Sequence, residues 1–261
     1  MIVYRSRAEI ETMRQANQLV ASVLAALEAA VAPGVTTADL DALAEKLVRD
    51  GGAVPAFKGY RGYPATLCAS VNDQVVHGIP SKRPLGDGDI VSLDIGVKLN
   101  GYFGDSAVTV AVGKVDERTS QLLTVTRESL EKAIEQVQVG RRLSDIGHAV
   151  QAHVEAHGFS VVREFVGHGI GEELHEDPQV PNYGQPGRGP RLAEGMVLAI
   201  EPMVAMGKAD VRVLSDGWTA VTRDGSLSAH FEHTVAVSAD GPLVLTRRAG
   251  AVGAASERRA S

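Results

Sequence analysis

Four carboxylates and one imidazole stand in or beside apolar, strand-like runs of this sequence: Asp94, Asp105, His168, Glu201 and Glu232. An ionised carboxylate carried into a low-dielectric interior is costly unless it is paired or binds a cation. Together the five match the ligand set of a paired divalent-metal site. Two further histidines lie in suggestive strings. His77 sits in Val76-His77-Gly78-Ile79-Pro80, on a turn after a short strand, and His175 sits in Leu174-His175-Glu176-Asp177-Pro178.

The elements that position these groups can be read from patterning. Asp89 to Val97 and Phe103 to Val112 read as strands, and Asn100-Gly101 between them is a hairpin signal. A two-residue loop sets Asp94 opposite Ala107, with Asp105 two residues along on the same face; a four-residue loop sets Asp94 directly opposite Asp105. Either way two like charges converge and call for a cation between them. The competing reading is a solvated sheet face, against which the apolar neighbours of Asp94 argue. Glu201 closes the apolar run 196–200 and precedes Pro202, which holds it extended and drops one backbone donor. Glu232 is read as lying inside an apolar strand, 228–237. His168 lies in Gly167-His168-Gly169-Ile170-Gly171, where glycines permit close backbone approach. A phosphate-cradle reading of that string is weak, since no Lys-Ser or Lys-Thr follows.

Around these, Ser6 and Glu9 form a capping box for a helix from about Arg7 to Val31, ended by Pro33-Gly34. Thr37 is read as the cap of a second helix to Asp50, stopped by Gly51-Gly52. A second helical pair follows at about 116–137 and 143–157. Strands are expected near 159–166, 196–203, 219–222, 228–237 and 243–246. His153 and His157, four apart on a helix, imitate a zinc-protease spacing, but Glu155 is misplaced for that motif's base, and both read as surface residues. The order is two helices then strands, twice. It predicts a single domain over 1–261 built of pseudo-repeated halves, about 1–115 and 116–248, with a disordered tail at 249–261.

Composition bounds the rest. The chain has 261 residues, 44% of them hydrophobic, enough for a sizeable core. A net charge of −6 argues against a nucleic-acid-binding surface. Cys68 is the sole cysteine, so no intrachain disulfide is possible, which fits a reducing compartment. No bilayer-spanning run or signal-peptide layout is present, and a cytoplasmic protein without membrane attachment is expected.

The strings around His77, His168, Glu201 and Glu232, together with Ser92-Leu93-Asp94-Ile95-Gly96 and Phe231-Glu232-His233-Thr234, occur in the order found in one known family. From about Ser6 to Thr246 the chain resembles the type I methionine aminopeptidases of peptidase family M24, in their short bacterial form. The resemblance implies an α+β "pita-bread" fold, two pseudo-symmetric halves with antiparallel sheet and outer helices. It implies two divalent metal ions, from among Co, Mn, Fe(II) and Zn, with Asp105 and Glu232 shared between them, Asp94 on one, and His168 and Glu201 on the other. It further implies attack of metal-activated water on the first peptide bond, Glu201 accepting the proton, His175 steadying the carbonyl oxygen and His77 bonding the peptide nitrogen. Phe57, Tyr60, Tyr63, Cys68, Leu174 and Trp218 match the methionine pocket. Aromatic faces suit a thioether, although each is also an ordinary core residue type. Three positions depart from the pattern: Phe57 stands where many relatives carry Cys, Leu174 where many carry an aromatic, and His230 where Gln is usual.

The expected substrate is the N-terminal methionine of nascent polypeptides with a small second residue, handled by a monomer in transient contact with the ribosome. The chain's own Met1 precedes the large Ile2 and is expected to be retained. The alternatives are a prolidase-like or Xaa-Pro aminopeptidase of the same fold, which usually carries an extra N-terminal domain, and a non-catalytic binding module, which loses metal ligands.

Overall fold

The computed structural model describes residues 1–247; the tail at 249–261 lies outside the described residues. The first helix, α1 (Arg7–Ala30), starts on the expected box: Ser6 Oγ accepts from the Glu9 N–H at 3.3 Å and Glu9 Oε2 accepts from the Ser6 N–H at 2.7 Å. The second, α2 (Thr37–Asp50), is capped by Thr36 and not by Thr37, because Thr36 is the extended residue whose hydroxyl receives the Asp39 N–H. Thr37 is already helical and buried.

The strands β1 (Val54–Pro55), β2 (Cys68–Val71), β3 (Gln74–Val76), β4 (Ile90–Leu99) and β5 (Tyr102–Ala111) follow. The β4–β5 hairpin turns through two residues, Asn100 at φ 52° and Gly101 at φ 87°, both in the left-handed region that a two-residue hairpin turn requires. Asp94 therefore pairs with Ala107, and Asp105 pairs with Gly96, which is the two-residue-loop alternative. The hairpin joins β1 and β2 in one antiparallel sheet. Its apolar face, Val91, Leu93, Ile95 and Val97, packs with Val20, Leu24, Leu27 and Leu40 of the helices into a continuous core.

The second helical pair is α3 (Glu117–Ile134) and α4 (Leu143–Ala156). After it come β6 (Ser160–Val161), β7 (Gly167–Gly169), β8 (Glu176–Val180), β9 (Val197–Ile200), β10 (Met203–Ala205), β11 (Val211–Val213), β12 (Ala220–Thr222), β13 (Ser228–His230), β14 (His233–Ser238) and β15 (Gly241–Val244). Five of these form an antiparallel sheet in the order β15-β14-β9-β7-β8, and the smaller set β13-β10-β6 lies beyond it.

Two expected strands are thus each divided. The stretch 196–203 breaks at Glu201-Pro202, and the stretch 228–237 breaks at Phe231-Glu232. Both breaks are one event. His230 pairs with Met203 in the smaller sheet and His233 pairs with Ile200 in the larger, so the two chains cross between sheets side by side. Glu232 is accordingly in a crossing and not within a strand. The halves interlock as well, since β3 of the first pairs with β12 of the second. One apolar cluster draws Met13, Phe57 and Tyr63 from the first half and Ile170, Leu174 and Val197 from the second. His157 is exposed, and the half-buried His153 meets Glu128 at 3.2 Å.

Candidate active site

The crossing is stitched to the hairpin by hydroxyls. Ser106 Oγ donates to the Glu232 carbonyl at 2.5 Å, Thr234 Oγ1 donates to the Asp105 carbonyl at 2.7 Å, and the Glu232 N–H donates to the Ala107 carbonyl at 2.9 Å. These bonds bring the Asp105 and Glu232 side chains to one place. His168, paired with Ala199 in the larger sheet, joins them: one ligand atom each from Asp105, His168 and Glu232 lie within 4.8 Å of one another. Glu201 Oε1 stands 3.6 Å from His168 Nε2. His168 Nδ1 lies 2.8 Å from the Gly169 carbonyl, which assigns its proton to Nδ1 and leaves the Nε2 lone pair free to bind a cation among the carboxylates.

Among the described residues, Asp94 Oδ1, Asp105 Oδ1 and Glu232 Oε1 are buried without a hydrogen-bond partner. Burial pushes the Asp105 carboxyl up to about 7. Burial first, then neighbouring carboxylates, raises Asp94, Glu201 and Glu232 well above the usual range. Burial, and then proximity to His175, lowers His168 to about 4, so its ring is neutral. Orphaned oxygens and a neutral imidazole converging on one point fit a divalent cation, whose charge supplies what the carboxylates lack.

The metal-ligand, catalytic and pocket candidates of the sequence, from Phe57 to Glu232, all line one cavity, which His153, His157 and His230 do not; its volume is about 180 Å³. That is below the roughly 300–1,000 Å³ of pockets for drug-sized ligands and leaves room for about one side chain beside the carboxylates. Its wall is aromatic. Tyr63 and Trp218 meet edge to face at 5.1 Å between centroids, and Tyr63 is fixed by donating to the carbonyls of Leu67 at 3.1 Å and Gly78 at 2.9 Å. Phe57 lies against Gly96, where a Cβ would come within 2.7 Å of its ring. Cys68 pairs with Asp94 across β2 and β4, and burial first, then Asp94, keeps its thiol protonated.

Two histidines flank the cluster. His175 Nδ1 lies 2.9 Å from the Tyr60 hydroxyl, and the two rings stack at 5.4 Å. Its ring is 4.3 Å from that of His168. Burial, and then the Arg61 guanidinium, lowers its pKa. His77 follows β3 at φ 61°, a left-handed conformation unusual for this residue, and is lowered by burial, then by His175, to about 4. Sequence reasoning missed Arg61, which also lines the cavity. Its place at the mouth depends on the turn at 59–63 folding over the pocket, for which the local sequence carries no signal. His230, noted only as a departure from pattern, is buried with Nε2 unpartnered and 3.7 Å from Glu201 Oε2.

Comparison with known proteins agrees with this geometry. The sequence model of metallopeptidase family M24 matches residues 11–239. The chain belongs to metallopeptidase family M24. Among M24-type relatives, it is 56% identical to a methionine aminopeptidase of Clostridium acetobutylicum over 94% of this chain and 99% of that protein. It is 52% identical to methionine aminopeptidase 1 of Bacillus subtilis over 95% of this chain and all (100%) of that protein. The crystal structure of methionine aminopeptidase from Thermotoga maritima superposes with a TM-score of 0.94 at 50% identity, covering 95% of this chain and 100% of that one. The prolidase of Pyrococcus furiosus shares the fold of this M24 chain, at a TM-score of 0.76 and 22% identity over 95% of this chain and 66% of that one. The pita-bread architecture is therefore the architecture of this metallopeptidase.

Proposed function

We infer that this M24 metallopeptidase is a methionine aminopeptidase, removing the N-terminal methionine of polypeptides whose second residue is small. The observation that carries this reading is the small aromatic-walled cavity set directly against the carboxylate cluster. Such a cavity takes one unbranched apolar side chain, and sulfur–aromatic contact with Tyr63 and Trp218 favours a thioether. The relatives that share about half of its residues or more are methionine aminopeptidases.

Asp94, Asp105, His168, Glu201 and Glu232 would hold two divalent ions, and the hard oxygens of this donor set point to Mn, Fe(II), Co or Zn. When bound, the ions polarise the first carbonyl and lower the pKa of water toward neutrality. The remaining work falls to side chains. Glu201 takes the proton of the attacking water on a carboxylate oxygen. His175, at the cavity mouth and oriented by Tyr60, bonds the carbonyl oxygen as it gains charge. His77 bonds the peptide nitrogen that leaves with the shortened chain. Phe57, Tyr60, Cys68 and Leu174 enclose the side chain and exclude water. The substrates in this reading are nascent chains met in transient contact with the ribosome, in the cytoplasm, by a monomer. Among the described residues no helix is long and apolar enough to cross a membrane.

The test is release of methionine from Met-Ala-Ser by the chelated apoprotein supplied separately with Mn, Fe(II), Co or Zn, with Ala-Pro as comparison. Metal-dependent cleavage of Met-Ala-Ser alone supports the reading. Cleavage of Ala-Pro instead moves it to a prolidase-like activity, and cleavage of neither, despite bound metal, moves it to a non-catalytic role.

A further inference from the structure

Arg5 is buried, 8% exposed, in the extended segment ahead of α1, and it takes no part in the chemistry above. Its backbone is pinned to the turn before β9: the Arg5 N–H donates to the Gly195 carbonyl at 2.7 Å, and a Cβ on Gly195 would lie 2.6 Å from the Arg5 carbonyl oxygen. Its side chain crosses to the turn between β7 and β8. There Nη2 donates to Glu176 Oε1 at 2.6 Å. The same oxygen accepts the N–H groups of Glu172 at 2.9 Å and Glu173 at 3.2 Å. Gly171 makes room for this, since a Cβ there would sit 2.4 Å from Nη2. Glu9 and Glu172 stand 3.8 and 3.6 Å from Nη1, and the guanidinium lies 5.7 Å from the Tyr102 ring centre.

The turn so gathered, 171–176, carries Leu174 and His175, which face the cavity. A guanidinium is expensive to desolvate, and a purely structural closure of similar volume is served as well by apolar side chains. What the charged pair adds is direction. Glu176 is the immediate neighbour of His175, and its carboxylate is fixed on one side by Arg5 and on the other by the backbone of the turn.

We propose that Arg5 is a positioning residue for the reaction: through Glu176 it holds the turn that aims His175 into the cavity. This rests on the aminopeptidase reading above. The test compares Arg5→Met and Arg5→Lys in the wild-type and His175→Ala backgrounds, in metal-loaded protein, together with the His175 ring resonances of the metal-free protein by NMR. In the wild-type background, Arg5→Met lowers kcat on Met-Ala-Ser by about tenfold to a hundredfold with KM little changed, as expected for a displaced catalytic group. Arg5→Lys restores most of the loss. In the His175→Ala background the same substitution lowers kcat no further, because residues acting as a unit are not additive. The His175 resonances move in Arg5→Met and return in Arg5→Lys. An equal fold-loss in both backgrounds, or unmoved His175 resonances, overturns the proposal. Failure of the wild-type protein to release methionine sinks the aminopeptidase reading instead, and the ring resonances then decide the role of Arg5. If Arg5→Met does not fold, Glu176→Gln, which keeps an acceptor for both backbone donors, is put through the same comparison with the same criteria.

Discussion

Replacing His175 by alanine removes a ring whose one hydrogen bond among the described residues is to the Tyr60 hydroxyl. The expected outcome is a fall in kcat of about 10²–10³, the scale of a lost donor to a developing oxyanion, with metal content unchanged by elemental analysis. Loss of metal together with activity rejects the role given to it. The carboxylates make a prediction of opposite character. Asp105, with an ordinary value of 3.8, is raised to about 7 by burial. Its contribution to the stability of the metal-free fold is therefore fully present below pH 3.8 and is lost as pH rises through about 7. Metal must displace the protons that the metal-free cluster holds, so metal affinity rises with pH over this range, and calorimetry in two buffers of different ionisation enthalpy shows protons released. Binding without proton release contradicts the assignment. That these charged side chains gather in one place was legible because charges embedded in apolar runs stand out. Arg61 was not, because an exposed arginine between glycines looks like solvent-facing loop until the fold brings it to the cavity.

At the scale of elements, local signals were read well and non-local ones were not. Caps, glycine stops and 3.6-residue spacing are written within a few residues of the helix they define, though the second cap falls at Thr36, one residue before the one read, and Asn100-Gly101 marked the hairpin while its register was left between two loops. By contrast β8 (Glu176–Val180) is polar on its exposed face and is a strand only because β7 pairs with it. The breaks at Glu201-Pro202 and Phe231-Glu232 arise where two chains exchange one sheet for another, a change of partner that no alternation pattern records. Two substitutions test how the elements carry the site. Gly104 precedes Asp105 on β5, and a Cβ there would lie 2.9 Å from Ala16 C and Asn17 N in the backbone of α1. Neither backbone can yield cheaply, so Gly104→Ala costs about 1–3 kcal/mol by urea unfolding and weakens metal binding by displacing the strand. Thr36→Ala removes the acceptor for the Asp39 N–H and costs about 1 kcal/mol, with metal affinity untouched. Equal effects of the two on metal binding would deny β5 its special position.

For the whole molecule, the cluster is fed from both halves, Asp94 and Asp105 by the first hairpin and His168, Glu201 and Glu232 by the second set of strands. A cation held there binds the folded chain and not the unfolded one. Metal at one hundred times its Kd is expected to stabilise the protein by about 2.7 kcal/mol, read as a rise in Tm that chelation reverses and Asp105→Asn abolishes. A Tm indifferent to metal counts against a site shared by the halves. The order of two helices then strands, twice, was legible, but the β3–β12 pairing and the hydroxyl stitches at Ser106 and Thr234 were not, since each joins positions more than one hundred residues apart. Those stitches have a consequence in time. The hairpin bearing Asp94 and Asp105 leaves the ribosome long before residues 228–238, and until that late segment emerges the two aspartates have no Glu232 beside them and no Thr234 hydroxyl at the Asp105 carbonyl. The cluster of a growing copy of this chain is therefore incomplete until that segment has folded against the hairpin.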